Sequence, residues 1–234
     1  MNRVTFLDHS GYVVTLDKVI LVFDYHHDPA HALHRILDAN PDKPVVFFVS
    51  HYHPDHYNKS IFELAQNHRR TYITSNDVQP KGIPTDLAVA GMSKGDIVDN
   101  LPGGLTVKAL PSTGPGVSFD ITTADGETIF FGGSINDSHS PNTETPGEHR
   151  HHTVIFNRIA EEMPEADIAF ISMDYLKQEP MPADDTYLLS QIKIKNFIPM
   201  ETGGNFHGSK DIQKLMPEDT TIHCLRSPGE SIEL

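Results

Sequence analysis

The chain has 234 residues, 38% of them apolar, and a formal net charge of −14 with histidine neutral. The length fits a single domain over residues 1–234, and the apolar fraction allows a sizeable core. The acidic charge disfavours nucleic-acid partners, no apolar run is as long as a membrane span, and no secretion signal is recognisable at the N-terminus. One cysteine, Cys224, excludes an intramolecular disulfide. We therefore expect a cytoplasmic protein with no membrane partner, for which a nucleic-acid substrate is disfavoured but not excluded.

The first half of the chain is predicted to be rich in strands. Apolar alternation and short apolar runs predict strands at 4–7, 12–16, 19–23, 45–49, 71–74, 87–90, 97–99, 105–110, 117–122 and 128–131. Helical periodicity predicts helices at 30–39 and at about 59–67. The run 45–49 is continuously apolar, as expected for a strand buried on both faces, and it leads directly into a cluster of histidines.

The second half alternates helices with strands. A long polar loop at 134–147 comes first, and loops of this length are often lids or binding loops. Helices are predicted at 148–162, 184–191 and 209–215, and strands at 168–171, 194–198 and 220–223. A β-rich half followed by an alternating half favours an α/β architecture.

Four candidate metal ligands, His51, His53, Asp55 and His56, lie within six residues directly after the apolar strand 45–49. Strand ends in α/β proteins open into a shared crevice, where such proteins place their chemistry. In an extended segment His51 and His53 point the same way, because they are two residues apart. Imidazole and carboxylate suit zinc, and also iron or manganese where carboxylates contribute. We interpret the cluster as a metal-binding loop; the alternative is a histidine-rich surface loop.

This His-x-His-x-Asp-His pattern resembles the signature of the metallo-β-lactamase superfamily, and the chain looks most similar to its uncharacterised bacterial metal-dependent hydrolases. Weaker motifs match in the same order at His9-Ser10-Gly11, Phe23-Asp24, Ser112-Thr113, 116–119, 166–170 and 197–200. The resemblance covers nearly the whole chain. It implies an α/β (α+β) fold, a four-layer αββα sandwich of two mixed sheets flanked by helices.

Three later ligand positions depart from the pattern of the superfamily. Ser112-Thr113-Gly114 has no histidine where the relatives supply a third one, Ser134 replaces a bridging aspartate, and Glu201 replaces the last histidine. A neutral hydroxyl is a poor ligand, and loss of the bridging carboxylate removes charge that holds two cations together. Glu201 can still ligate. The resemblance therefore implies one ion, zinc or else iron or manganese, and puts a second metal in doubt.

Four residues outside the loop are further candidates for the site. In the resembling family the aspartate matched by Asp24 lies beneath the metal loop, where it could orient a histidine through its second ring nitrogen. A strand-end carboxylate bonded to backbone amides is the alternative. His9 could face the same cleft or cap a turn. His139 and His207 are candidate substitutes for the departed ligands, although an ordinary polar loop residue is the commoner case.

Two functions stay open. The first is a hydrolase that acts on a small-molecule ester, lactone or phosphodiester through a metal-activated water, with Asp55 as the catalytic residue that orients this water or takes its proton. Its metal ligands would be His51, His53, Asp55, His56 and Glu201. The second is a catalytically impaired or non-enzymatic member that binds a ligand or a single metal. The sequence identifies no substrate, and edge strands of such a sandwich permit a homo-oligomer without requiring one.

Overall fold

The computed structural model describes residues 2–78, 87–136, 145–173, 187–201, 213 and 216–234. The strands are β1 Arg3–Asp8, β2 Gly11–Thr15, β3 Ile20–Phe23, β4 Val45–Val49, β5 Arg70–Ser75, β6 Ala88–Met92, β7 Ile97–Leu101, β8 Leu105–Leu110, β9 Ser118–Thr122, β10 Thr128–Asn136, β11 Glu165–Ser172, β12 Lys193–Met200, β13 Thr221–Ile222 and β14 Ser231–Glu233. The helices are α1 Ala32–Ala39, α2 Pro146–Glu162 and α3 Tyr187–Gln191, and short 3₁₀ segments lie at Lys59–Phe62 and Pro102–Gly104.

The described strands form two seven-stranded mixed sheets built on the same plan. The first sheet has the order β14-β1-β2-β3-β4-β5-β6, and the second has the order β13-β12-β11-β10-β9-β8-β7. In the first sheet β3 to β6 run parallel, and in the second β10 to β13 do. The remaining pairs are antiparallel. Each sheet thus offers several parallel strands whose carboxyl ends meet at one edge.

A shared apolar core joins the two sheets. Successive side chains of β4 point to opposite faces, so Phe48 enters the core between the sheets and Phe47 enters the core under α1. Phe23 stacks on Phe48 and on Phe131 of the second sheet, with ring centroids 4.9 and 4.6 Å apart. This packing fixes the ends of β3 and β4 relative to the second sheet.

Helices cover the outer faces of both sheets. Leu33 and Leu37 of α1 pack on the first sheet, while Phe156 and Ile159 of α2 and Leu188 of α3 pack on the second. Thr145 and Glu148 form a capping box at the start of α2. The layers are helix, sheet, sheet, helix, so the predicted αββα sandwich is confirmed.

One local prediction was wrong, and one strand was missed. The helix predicted at 59–67 is only a 3₁₀ turn at Lys59–Phe62. Ala65 has a positive φ of 51°, and the guanidinium of Arg70 donates to the carbonyls of Phe62 and Leu64, which satisfies them without a helix. Strand β14 was not predicted; it is a short edge strand that pairs with β1.

Two predicted helices lie partly or largely outside the described residues. The helix predicted at 209–215 and the first residues of the helix at 184–191 fall largely outside the described residues. Within the described ranges, no helix is both long and apolar enough to cross a membrane.

Candidate functional site

The histidine loop lies where the carboxyl ends of parallel strands from both sheets approach each other. The strand ends and the β1–β2 turn bring together Asp24 after β3, Ser50 and His51 after β4, Ser172 at the end of β11, Glu201 after β12, and His9 and Ser10. Most of these residues are buried or nearly so. Glu201 therefore lies in the same region as the predicted ligands of the histidine loop, although it is far from them in sequence.

Three of these positions have an unusual backbone. Asp24, Glu201 and His9 have positive φ values of 39°, 58° and 50°. Non-glycine residues adopt this left-handed region infrequently, and such strain persists only where the surroundings enforce it, often at functional sites. The three strained residues all border the histidine cluster.

Asp24 is the centre of a buried hydrogen-bond network. Its carboxylate accepts from the backbone N–H of Ser50 at 2.7 Å, from Ser50 Oγ at 2.6 Å and from His56 Nδ1 at 2.7 Å. Because Ser50 donates its only hydroxyl proton to Asp24, Ser50 Oγ must accept from His51 Nδ1, 2.9 Å away. Asp24 thus holds His51 and His56 with their protons on Nδ1, which leaves the Nε2 lone pairs free.

The ligand side chains are grouped around His51 and His56. The ring centroids of His51 and His56 are 4.0 Å apart, and those of His51 and His53 are 4.7 Å apart. His53 is exposed, while its carbonyl accepts from the backbone N–H groups of His56 and Tyr57 and so closes the loop into a turn.

Among the described residues, two triplets each offer three ligand atoms within 4.8 Å of one another. One triplet is Asp24, His51 and His56, and the other is His9, Asp55 and His56. Both oxygens of Asp24 already accept hydrogen bonds, so its carboxylate serves better to orient the rings than to ligate.

Glu201 reaches the same cluster from the second sheet. Its Oε1 lies 3.5 Å from His56 Nε2 and accepts from Ser10 Oγ at 2.6 Å, and its Oε2 accepts from Ser172 Oγ at 2.8 Å. The carboxylate is largely buried, with 16% of the side chain exposed. Two serine hydroxyls therefore orient the carboxylate of Glu201.

Burial and neighbouring charges shift the pKa values of the two buried histidines in opposite directions. Burial, reinforced by His56, lowers the pKa of His51 to about 4. Burial also works to lower the pKa of His56, but the hydrogen bond and charge of Asp24, with Glu201 and Asp55, outweigh it and raise the pKa. At neutral pH His51 is consequently an uncharged base with an available lone pair.

We expect this shift to make the metal-free protein less stable in mild acid. The pKa of His51 is about 4 in the folded state and about 6.5 in the unfolded state, so between these pH values the unfolded state binds a proton that the folded state does not bind. The free energy of unfolding is therefore unaffected by His51 above pH 6.5. It decreases as the pH falls from 6.5 to 4, by about 3 kcal/mol in total.

Urea unfolding between pH 4 and 7 measures this effect. A His51→Asn variant should show a flatter dependence of stability on pH than the wild type, because the titrating ring is gone. His34→Asn, which replaces an exposed histidine on α1, should leave the curve unchanged. Parallel curves for wild type and His51→Asn would contradict the assignment.

The loops that contain Ser112 and Ser134 lie against the histidine loop. The N–H of Val117 donates to the carbonyl of Ser50 at 3.0 Å, and a Cβ added to Gly133 would lie 2.5 Å from Ser50 Cβ. Ser134 Oγ donates to the carbonyl of Pro115 at 2.5 Å and lies 2.9 Å from Ser112 Oγ. Ser134, which stands where the resemblance leads one to expect an aspartate, thus ties the two loops to each other.

Several polar residues that contact the predicted ligands were not singled out from the sequence. Ser50, Ser10 and Ser172 received no role, although Ser50 precedes the loop and Ser10 lies in a quoted motif. Only the contacts across the two sheets show what these hydroxyls do. His139 and His207, the candidate substitutes, lie outside the described residues.

A cavity of about 440 Å³ lies elsewhere, between α1 and residues 63–68. Its lining includes His31 and His34, which are exposed. In contrast, His51 and His56 are buried, and their rings are fixed by hydrogen bonds. We therefore assign the candidate site to the histidine loop.

No family model matches the chain, and no curated protein matches it. Solved structures are similar to it. One is Igni18, a metallo hydrolase from the archaeon Ignicoccus hospitalis, with 14% identity, a TM-score of 0.68, and coverage of 99% of this chain and 97% of that one. Another is YhfI of Bacillus subtilis, a metallo-β-lactamase fold protein, with 13% identity, a TM-score of 0.67 and full coverage of both chains.

A third similar structure is CmlA, a diiron β-hydroxylase from Streptomyces venezuelae. Its identity is 13% and its TM-score is 0.62, and the match covers all of this chain and 54% of that one. Identities this low establish the fold alone. The chain therefore has the metallo-β-lactamase fold, and the resemblance inferred from the histidine loop is confirmed at that level.

Proposed function

We propose that this chain is a metal-dependent hydrolase of the metallo-β-lactamase superfamily that acts on a small-molecule ester, lactone or phosphodiester. One observation carries the proposal: in the neutral state Asp24 leaves the Nε2 lone pairs of His51 and His56 bare, and His56 is grouped with the carboxylates of Asp55 and Glu201. Lone pairs and carboxylates that converge in this way repel one another unless a cation or a proton lies among them.

These donors suit one divalent ion. The ligands would be drawn from His51, His53, Asp55 and His56, with Glu201 as a further carboxylate. Imidazole and carboxylate favour zinc, with iron or manganese as alternatives, and the absence of a carboxylate at Ser134 argues against a second ion. When bound, such an ion lowers the pKa of a coordinated water to near 7 and polarises a substrate oxygen.

Asp55 is proposed as the catalytic carboxylate. Its side chain is 48% exposed, so it can contact both water and substrate. Partial burial works to raise the pKa of Asp55, but a hydrogen bond with its own backbone and the charges of His56 and His9 outweigh burial and lower the pKa. Asp55 is therefore ionised at neutral pH and able to orient a water or take its proton.

An alternative function is favoured by the environment of Ser134. Its hydroxyl is bonded to the carbonyl of Pro115 and lies beside Ser112, so it holds loops together instead of supplying a bridging ligand. A chain altered in this way could bind a ligand or a single metal without catalysis.

Four further properties remain predictions: a single domain, a cytoplasmic location, a small-molecule partner and an optional homo-oligomer.

Metal analysis combined with a substrate screen tests the two functions. We expect about one equivalent of metal in protein purified without a tag, and turnover of an ester, lactone or phosphodiester that Asp55→Asn abolishes. Asp125→Asn, at an exposed turn, is the matched control. Less than about a tenth of an equivalent and no turnover would exclude the hydrolase. Stoichiometric metal without turnover in any class would favour the binding protein.

A further inference from the structure

His9 offers a lone pair that its hydrogen bonds have already oriented. Ser10 Oγ donates its proton to Glu201 at 2.6 Å, so it can only accept from His9 Nδ1, which lies 3.1 Å away. A neutral His9 therefore carries its proton on Nδ1 and presents a bare Nε2. Glu201, Ser10 and His9 repeat the arrangement in which Asp24 orients His51 through Ser50.

The bare nitrogen of His9 faces two other ligands. His9 Nε2 lies 3.6 Å from Asp55 Oδ2, and the rings of His9 and His56 meet edge to face with centroids 5.5 Å apart. One possible ligand atom from each of His9, Asp55 and His56 lies within 4.8 Å of those of the other two. Ligand atoms around a tetrahedral zinc ion are about 3.4 Å apart, given metal–ligand distances near 2.1 Å. A small adjustment of exposed side chains would bring the three to that spacing.

We propose that His9 is a metal ligand, and that His9, Asp55 and His56 form a three-residue metal site with Ser10 as a positioning residue. The inference rests on the proposed function only in assuming that the chain binds a divalent metal. Three protein ligands with an open fourth position are the arrangement found in catalytic zinc sites.

This site explains how the chain tolerates its altered positions. The pair His51 and His53 lacks the third histidine that Thr113 and its neighbours would have to supply. The pair Asp55 and His56 instead gains an imidazole from the β1–β2 turn. Glu201, which sequence analysis placed among the ligands, then has a second use, because it orients His9 through Ser10.

A simple ion pair is the competing explanation for the contact of His9 with Asp55. In that case both ring nitrogens of His9 carry protons, and Nε2–H points at the carboxylate. The two explanations differ in the state of Nε2: a metal-bound nitrogen carries no proton, whereas the ion pair requires one.

Zinc titration calorimetry on the untagged, metal-stripped full chain tests the proposal. His9→Asn keeps a residue that tolerates positive φ, and we expect it to weaken Zn²⁺ binding roughly 100-fold or more. Ser10→Ala should weaken binding roughly tenfold, since it removes an orienting contact. His34→Asn replaces an exposed histidine on α1 and should bind as the wild type does.

A second measurement does not depend on any variant folding. The ¹⁵N resonances of the wild-type histidine rings, recorded before and after Zn²⁺ addition, should show His9 Nε2 changing from a bare to a metal-bound nitrogen. Unchanged His9 resonances together with wild-type affinity in His9→Asn would overturn the proposal and leave metal binding through the loop intact. A wild type that binds no Zn²⁺ would remove both this inference and the proposed function.

Discussion

Replacing Gly116 by alanine is expected to destabilise the fold by about 3–5 kcal/mol and to displace the metal loop. Gly116 has a φ of +77°, and an added Cβ would lie 2.0 Å from the carbonyl oxygen of Ser50 and 2.5 Å from His51 Cβ. Neither neighbour can move freely, because the Ser50 carbonyl accepts from Val117 and its N–H is bonded to Asp24. Urea unfolding gives the stability, and Zn²⁺ titration reports on the loop.

Gly126→Ala separates steric contact from backbone strain. Gly126 has a φ of +84°, close to that of Gly116, but nothing lies within 4 Å of an added Cβ. Backbone strain alone costs about 1–2 kcal/mol. Equal losses in the two variants would mean that the close approach of Gly116 to the metal loop has no energetic consequence.

Asp24→Asn is expected to weaken metal binding by roughly 10–100-fold and to cost about 1–3 kcal/mol in stability. Three donors converge on this buried carboxylate: Ser50 N, Ser50 Oγ and His56 Nδ1. An amide has one oxygen, so its NH₂ group must face a donor, and the rings of His51 and His56 lose their orientation. Asparagine tolerates a φ of 39°, which leaves the backbone unperturbed.

Asp28→Asn is the matched control for stability. Asp28 is also a buried carboxylate, but it accepts from the N–H groups of Ala32 and Leu33 at the start of α1. This variant should lose stability while it retains its affinity for Zn²⁺. If both variants lost affinity equally, the effect of Asp24 would reflect general destabilisation rather than orientation of the histidines.

The elements nearest the site were the easiest to predict from sequence. Strand β4 is a continuous apolar run, and both of its faces are buried, so the pattern and the environment agree. The loop that follows it contains four of the five predicted ligands within six residues. Local sequence therefore carried enough information to indicate the fold and to suggest a region for the candidate site.

Features that depend on distant contacts were not predictable. The segment after Asn58 has helical periodicity, yet it does not form an α-helix. The guanidinium of Arg70 donates to the carbonyls of Phe62 and Leu64, and the positive φ of Ala65 turns the chain there. Strand β14 has three residues and is defined by its antiparallel pairing with β1. The links of Ser10 and Ser172 to Glu201 span 191 and 29 residues, and no local pattern marks them.

The line from His9 through Ser10 to Glu201 crosses from one sheet of the sandwich to the other. His9 and Ser10 lie in the turn between β1 and β2, Asp55 and His56 lie in the loop after β4, and Glu201 follows β12 of the other sheet. An ion bound at His9, Asp55 and His56 would therefore be held by loops of one sheet, and its link to the second sheet would run through Ser10 and Glu201. A shift of one sheet against the other would move His9 through this link, so metal affinity would report on how the two halves of the sandwich pack.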